Sequence, residues 1–195
     1  MCGRFYIEND SEVQRVVDII LKRGTAPDDL KVCGEYFPGD VVPVIAPDRK
    51  RNPTAYAMQW GYHLNRKLIF NARSETAADK MLFHEGISCH RCVIPASWYF
   101  EWDTIKKKYA IHPQEGRTFL AGIYRMEDRP VFTVLTREPG ESTRGIHPRM
   151  PVILRQESIR KWIDPDTDPK EIMLSSVTGM ICVPFAGKDD AEEYV

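Results

Sequence analysis

Residues 91–102 read RCVIPASWYFEW. The run is rich in β-branched and aromatic side chains and stops at Asp103, so it reads as a strand. Others of the same kind surround it: DVVPVIA (40–46), TAYAMQW (54–60), KLIFN (67–71), KYAIH (108–112), RTFLAGIYRM (117–126) and RPVFTVLT (129–136). Each is short and broken off by Pro, Gly, Asn or Asp, the punctuation of turns. GMICVPF (179–185) reads as a closing strand.

Helices are fewer. In SEVQRVVDIILKRG (11–24), Val13, Val16, Val17, Ile20 and Leu21 recur at helical spacing. Ser11 with Gln14 reads as a capping box and Gly24 as the stop. SETAADKMLFHE (74–85), RQESIRKWI (155–163) and DPKEIMLSSV (168–177) read as shorter helices. The pattern predicts an α+β fold: a single compact domain with a largely antiparallel, barrel-like β core and peripheral helices. That domain is expected to run over 1–187, and the acidic tail KDDAEEYV (188–195) to fray.

The chain has 195 residues, 43% hydrophobic and 28% charged, enough for one domain with a sizeable core. Its formal net charge is −1, so nothing pulls it in bulk towards polyanions. Nucleic-acid binding would need a local patch of Arg and Lys. No apolar run reaches the length of a membrane span, and the start lacks the basic-then-apolar pattern of a signal peptide. Five cysteines fit a reducing cytosol with free thiols, which places the protein in the cytoplasm. HEGISCHRC brings His84, Cys89, His90 and Cys92 close in sequence, but a single C-x-x-C falls short of the two pairs structural zinc sites draw on. No metal or cofactor is expected, and Cys33, Cys92 and Cys182 read as small buried hydrophobes.

Four segments hold polar groups where plain strands would not. MCGRF (1–5) places Cys2 directly after Met1. If Met1 is removed, Cys2 carries an α-amine and a thiol on adjacent carbons. FNARSET (70–76) runs an apolar strand into Asn71, Arg73 and Glu75. WYFEWD (98–103) holds Glu101 among aromatics, and GIHPRMPVIL (145–154) sets His147 and Arg149 before an apolar run. Taken singly, each has a plain reading. Asn71 fits a turn, His147 a loop, and the arginines a solvated surface. Tyr99, Glu101 and Asp103 share one parity against Trp98, Phe100 and Trp102, so Glu101 fits the outward side of an alternating strand.

Taken together, MCGR, NARSET, RCVIPASWYFEW, AGIY and IHPRMPVIL follow the order of motifs in the SRAP family, the SOS-response-associated peptidases or abasic-site processing proteins, which residues 2 to about 154 resemble. The resemblance implies a compact α+β fold and single-stranded DNA containing abasic sites as the partner. It also implies a covalent link through the N-terminal cysteine, made as a thiazolidine once Met1 is lost, in the DNA damage response of a bacterial nucleoid. By motif, Cys2 would be the nucleophile, with Asn71, Glu101 and His147 around it. Arg4, Arg73 and Arg149 would contact phosphates, and Trp60 would stand beside the DNA groove and stack on a base. Met1 would be released by Cys2 itself, the family's peptidase activity, or by a cellular aminopeptidase, and lyase-type cleavage is possible at the same centre. A monomer without cofactor is expected. YHLNRK (62–67) after Trp60-Gly61, and Trp98 before YFEW, depart from the family pattern and put the groove wall in question. Two rival readings are a cysteine peptidase acting on other proteins and a non-covalent sensor of damaged single strands.

Overall fold

The computed structural model describes residues 2–185, so the tail at 188–195 and the expected domain end at 187 lie outside the described residues. In chain order, β1 (Phe5–Ile7) precedes α1 (Ser11–Lys22), followed by β2 (Gly34–Tyr36), β3 (Val41–Pro47) and β4 (Pro53–Trp60). A hairpin of β5 (Tyr62–Leu64) and β6 (Lys67–Ile69) leads into β7 (Asn71–Arg73) and α2 (Met81–Cys89). Then come β8 (Arg91–Ala96), β9 (Trp98–Trp102), β10 (Lys108–Pro113), β11 (Thr118–Met126) and β12 (Pro130–Arg137). Two-residue strands β13 (Met150–Pro151) and β14 (Ile153–Leu154), α3 (Ile159–Ile163), α4 (Pro169–Leu174) and β15 (Met180–Pro184) complete the path.

Five strands close on themselves in the order β12-β4-β3-β8-β11, with β11 pairing back to β12. Closure removes the exposed edges that an open sheet would have to protect. The β12–β4 contact is parallel, with Val131 opposite Gln59, and the other four contacts are antiparallel. A second, antiparallel sheet runs β15-β10-β9-β1-β2. Val42, Val44, Trp60, Ile94, Leu120, Phe132 and Val134 fill the barrel side of one core, and Phe5, Tyr36, Tyr99 and Ile111 close it from the second sheet. The α+β, barrel-like architecture expected from the strand pattern is the one observed, in a single compact domain.

RCVIPASWYFEW is two strands, not one. β8 belongs to the barrel and β9 to the second sheet, with Ser97 at the corner. The Ser97 N–H donates to Tyr6 O at 2.8 Å, its hydroxyl accepts from Glu8 N–H at 2.9 Å, and its carbonyl accepts from the Thr118 hydroxyl at 2.7 Å. Three bonds at one residue satisfy the backbone groups that leaving a ladder would strand.

Gly61 turns the chain out of the barrel at φ +122°, a conformation glycine adopts freely, and a Cβ there would lie 2.5 Å from Leu68. Asn65 and Arg66, both at positive φ, then close the β5–β6 hairpin in the manner of a type I′ turn. That hairpin delivers the chain to Asn71.

Helix α1 is as long as its periodicity predicts, and Val13, Val16, Val17 and Ile20 are buried while Leu21 is exposed. The cap is Asp10 rather than Ser11: its carboxylate accepts from the N–H groups of Glu12 and Val13 at 3.0 and 2.9 Å. Gly24, at φ +63°, follows the last turn as expected. Helix α2 starts at Met81 rather than Ser74. Ser74 N–H is taken by Thr136 O, and Glu75 by Arg149, so this segment follows the barrel wall before the helix begins. Cys92 is buried as expected, whereas Cys33 is exposed and Cys182 half-buried. No helix among the described residues is long and apolar enough to cross a membrane.

Candidate active site

Four segments converge where the second sheet meets the barrel. The N-terminal arm enters beside β9: Arg4 O accepts from Phe100 N–H at 2.9 Å, and Phe5 pairs with Tyr99. This draws Cys2 to full burial. β9 supplies Glu101, β7 supplies Asn71 at its first residue, and the loop before β13 supplies His147.

The alternation in β9 is present, but its faces are the reverse of the plain reading. Tyr99 and Glu101 look inward, at 0% and 4% exposure, while Trp98 and Trp102 are half-buried on the other side. The aromatic face tolerates its position because cations cover it. Lys108 lies 3.7 Å from the Phe100 ring centroid, and Arg4 lies 5.2 Å from that of Trp102. Glu101 is therefore a buried carboxyl and not a solvated strand residue.

Asn71 donates from Nδ2 to the carbonyl of Cys2 at 2.9 Å, while β7 itself is fixed by parallel pairing of Asn71 with Val134. His147 Nδ1 lies 3.9 Å from Glu101 Oε1. The same nitrogen accepts from Arg149 N–H at 3.1 Å and lies 3.0 Å from Arg149 O. Burial pushes the Glu101 carboxyl above the usual carboxylate range, and the neighbouring His147 pulls it partly back. Burial, reinforced by the Glu101 charge, also pushes the Cys2 thiol well above its ordinary value. The cluster therefore holds a thiol and a carboxyl whose proton affinities burial raises, with an imidazole beside them. That is an arrangement for passing protons over short distances.

The other expected residues lie at varying depth. Arg73, at the end of β7, is exposed. Arg4 is half-buried, 3.3 Å from Glu35, and its guanidinium lies 4.4 Å from the Phe37 ring centroid. Arg149 is engaged elsewhere: Nη1 and Nη2 each donate to a Glu75 carboxylate oxygen at 2.8 Å. Trp60 corrects the sequence reading. Its ring is fully buried against Phe5, Phe70 and Phe132, and its indole N–H donates to Phe70 O at 2.9 Å. No ring face remains for a base, because the end of β4 points this side chain into the barrel. Cys92 is likewise interior and Cys89 exposed, so the cysteines of HEGISCHRC diverge.

Two residues escaped the sequence reading. Tyr99 places a buried hydroxyl, without a hydrogen-bond partner among the described residues, on the Glu101 face. Its shared parity with Glu101 was the available signal. Glu75 was visible as a charge in NARSET, but its partner lies 74 residues away.

Comparison with known proteins bears on this cluster. The sequence profile of the SRAP family, SOS response associated peptidase, matches residues 1–184. The abasic site processing protein YoqW of Bacillus subtilis is 32% identical, over 87% of this chain and 83% of its own length. The abasic site processing protein YobE of the same bacterium is 30% identical, over 100% of this chain and 93% of its own. Among solved structures, a protein from Bordetella bronchiseptica superposes with a TM-score of 0.76 at 19% identity, covering 95% of this chain and 100% of that one, a likeness of fold. With a profile match running from the first residue through β15, the chain belongs to the SRAP family.

Proposed function

We propose that this protein processes abasic sites in single-stranded DNA by joining itself to them through Cys2. The observation that carries the reading is the grip on Cys2: its carbonyl is held by Asn71 at 2.9 Å and its thiol is enclosed beside a buried carboxyl. The names of relatives such as YoqW and YobE, abasic site processing proteins, supply the substrate class.

The chemistry follows from the protonation states. Once Met1 has left, the Cys2 α-amine has a reference pKa of about 7.7–8.0, so a useful fraction is neutral. The open-chain deoxyribose at an abasic site presents an aldehyde. The amine adds to its carbon, and the carbinolamine loses its hydroxyl as water. Glu101, which burial keeps inclined to hold a proton, gives that proton to the departing oxygen. The resulting carboxylate is then the base the Cys2 thiol lacks. It takes the thiol proton as sulfur attacks the imine carbon, and a five-membered thiazolidine closes. One proton leaves Glu101 and one returns, so the site ends as it began. Closure is intramolecular, and effective molarities for such steps are very large. His147 protonates the sugar ring oxygen and favours the open aldehyde. Arg73 and Arg4 hold the flanking phosphates. Release of Met1 draws on the same thiol attacking the preceding peptide carbonyl: the C–N bond breaks as the thiol proton passes to the Cys2 nitrogen, and water hydrolyses the resulting thioester to free Met1 and the thiol.

The test is a denaturing gel of purified protein with an abasic oligonucleotide. Wild type gives a durable adduct, and intact mass spectrometry shows Met1 absent. Cys2→Ser, with Met1 still removed, keeps the amine and loses the thiol. It gives an adduct only when borohydride traps the imine, with strand cleavage by β-elimination persisting. A durable Cys2→Ser adduct without reductant would falsify the ring-closing role of sulfur.

A further inference from the structure

Tyr99 and Glu101 stand two residues apart on the inward face of β9. Tyr99 is flanked by Phe5 of β1 and Ile111 of β10, and Glu101 lies opposite Tyr109 of β10. Tyr99 is 0% exposed, and its hydroxyl has no hydrogen-bond partner among the described residues. The Tyr109 hydroxyl, by contrast, donates to Asp103 Oδ2 at 3.3 Å. A buried hydroxyl without a partner has lost its bonds to water and gained none in exchange, so a phenylalanine of the same shape would suit the resting core better. What the Tyr99 hydroxyl lacks is an acceptor, and the resting site does not offer one.

Such an acceptor appears during the reaction. When Glu101 gives up its proton, a carboxylate is left where burial opposes its charge. We propose that Tyr99 is a positioning residue for Glu101: its O–H turns to the carboxylate when that charge forms and holds it by a hydrogen bond until the thiol proton is taken up. The proposal rests on the reading of Glu101 as acid and base in the abasic-site reaction. No proton leaves the phenol, so the atoms of that reaction balance as before. Burial, with the charges of Cys2, Cys182 and Glu101, pushes the Tyr99 phenol well above its ordinary value, which keeps it a donor throughout. The titratable groups facing the pair are Cys2 of the N-terminal arm, His147 of the loop before β13, Tyr109 of β10 and Cys182 of β15. Of these, His147 offsets the burial of the carboxylate by charge, and Tyr99 adds a directed hydrogen bond to the same end.

Tyr99→Phe removes one oxygen and tests this. A donor to the charged form lowers the pKa of a carboxyl, so its loss should raise the Glu101 titration midpoint by about one pH unit. The midpoint is read from the side-chain carboxyl carbon in NMR spectra of labelled protein, the signal being identified by its disappearance in Glu101→Gln. In single-turnover reactions at saturating abasic oligonucleotide, the adduct rate should fall about tenfold, with the half-saturating DNA concentration within about twofold of wild type. The melting temperature should be no lower than that of wild type, because the oxygen has no partner in the resting core. A purely structural role predicts the opposite shift, since a loosened core admits water, relieves the burial and lowers the midpoint. A midpoint that falls or stays in place overturns the proposal, and so does a retained adduct rate. Should wild type form no adduct, the abasic-site reading falls on its own, and the hydrogen bond is still decided by the direction in which the Glu101 midpoint moves.

Discussion

Glu101 is a carboxyl with 4% exposure in a strand whose other face is aromatic and largely covered. Its pKa is raised in the folded protein, chiefly by burial. An acid whose folded pKa lies above its unfolded value favours the folded state while both forms are protonated. That contribution is lost as pH rises through the folded pKa. Glu101→Gln is neutral at every pH and nearly isosteric. It should match wild type in stability near pH 4 and become progressively more stable than wild type towards pH 8, at about 2–4 °C in melting temperature per kcal/mol for a chain of this size. In the proposed reaction the same variant should form adduct more slowly, since the proton it can no longer exchange is the one that scheme gives to the departing water and takes from the thiol. A stability gain coupled to an activity loss is the signature of a strained functional group. Equal melting curves at pH 4 and pH 8 would show that the buried carboxyl carries no such strain.

Among the elements, the docking of α3 and α4 depends on one buried cation. Arg91, at the start of β8, is 1% exposed and donates to the carbonyls of Trp162, Ile87, Ser88, Asp164 and Thr167. It joins the end of α2 to α3 and the turn before α4 by satisfying C=O groups that helix ends leave open. Arg91→Met retains the bulk and deletes every donor. It should cost about 3–5 kcal/mol in chemical denaturation, because several buried carbonyls are left without partners. Amides over 159–174 should exchange faster than those of the barrel. Uniform exchange across the protein would place the loss elsewhere. This hub also shows where the sequence was legible and where it was not. The long strands and α1 could be read because their periodicity is local. Asn71, Glu101 and His147 stood out because they interrupt apolar runs, but each alone had a plain reading, and the period of β9 put Glu101 on the wrong side. The corner at Ser97 could not be read, because its three bonds come from Tyr6, Glu8 and Thr118. The two-residue strands β13 and β14 are too short to show a period. Trp60 was misread because a tryptophan at a strand end looks the same in sequence whether its ring faces the barrel or the solvent.

For the whole molecule, net charge decides how DNA must be held. At −1 the protein offers no general attraction to a polyanion, so in the function proposed above binding rests on a few placed cations. Arg4 stands two residues from Cys2 and Arg73 two residues from Asn71. In extended backbone two residues span about 6.6 Å, so each arginine stands close along the chain to a residue of the cluster. Two contacts on a single strand predict a shallow salt dependence, with log K falling against log salt at a slope of about −1.4. Arg73→Ala should halve the slope to about −0.7 and weaken binding at low salt. Adduct yield at saturating DNA should remain, since Arg73 is exposed and outside the proton-passing cluster. Titration of a fluorescent abasic strand at several salt concentrations, paired with the denaturing gel, reads both quantities. A wild-type slope steeper than about −3 would require more phosphate contacts than these two arginines provide. A non-covalent sensor would need such an extended cationic track to hold its DNA. A protein that ends in a covalent bond does not, because brief residence is enough once the aldehyde reaches Cys2.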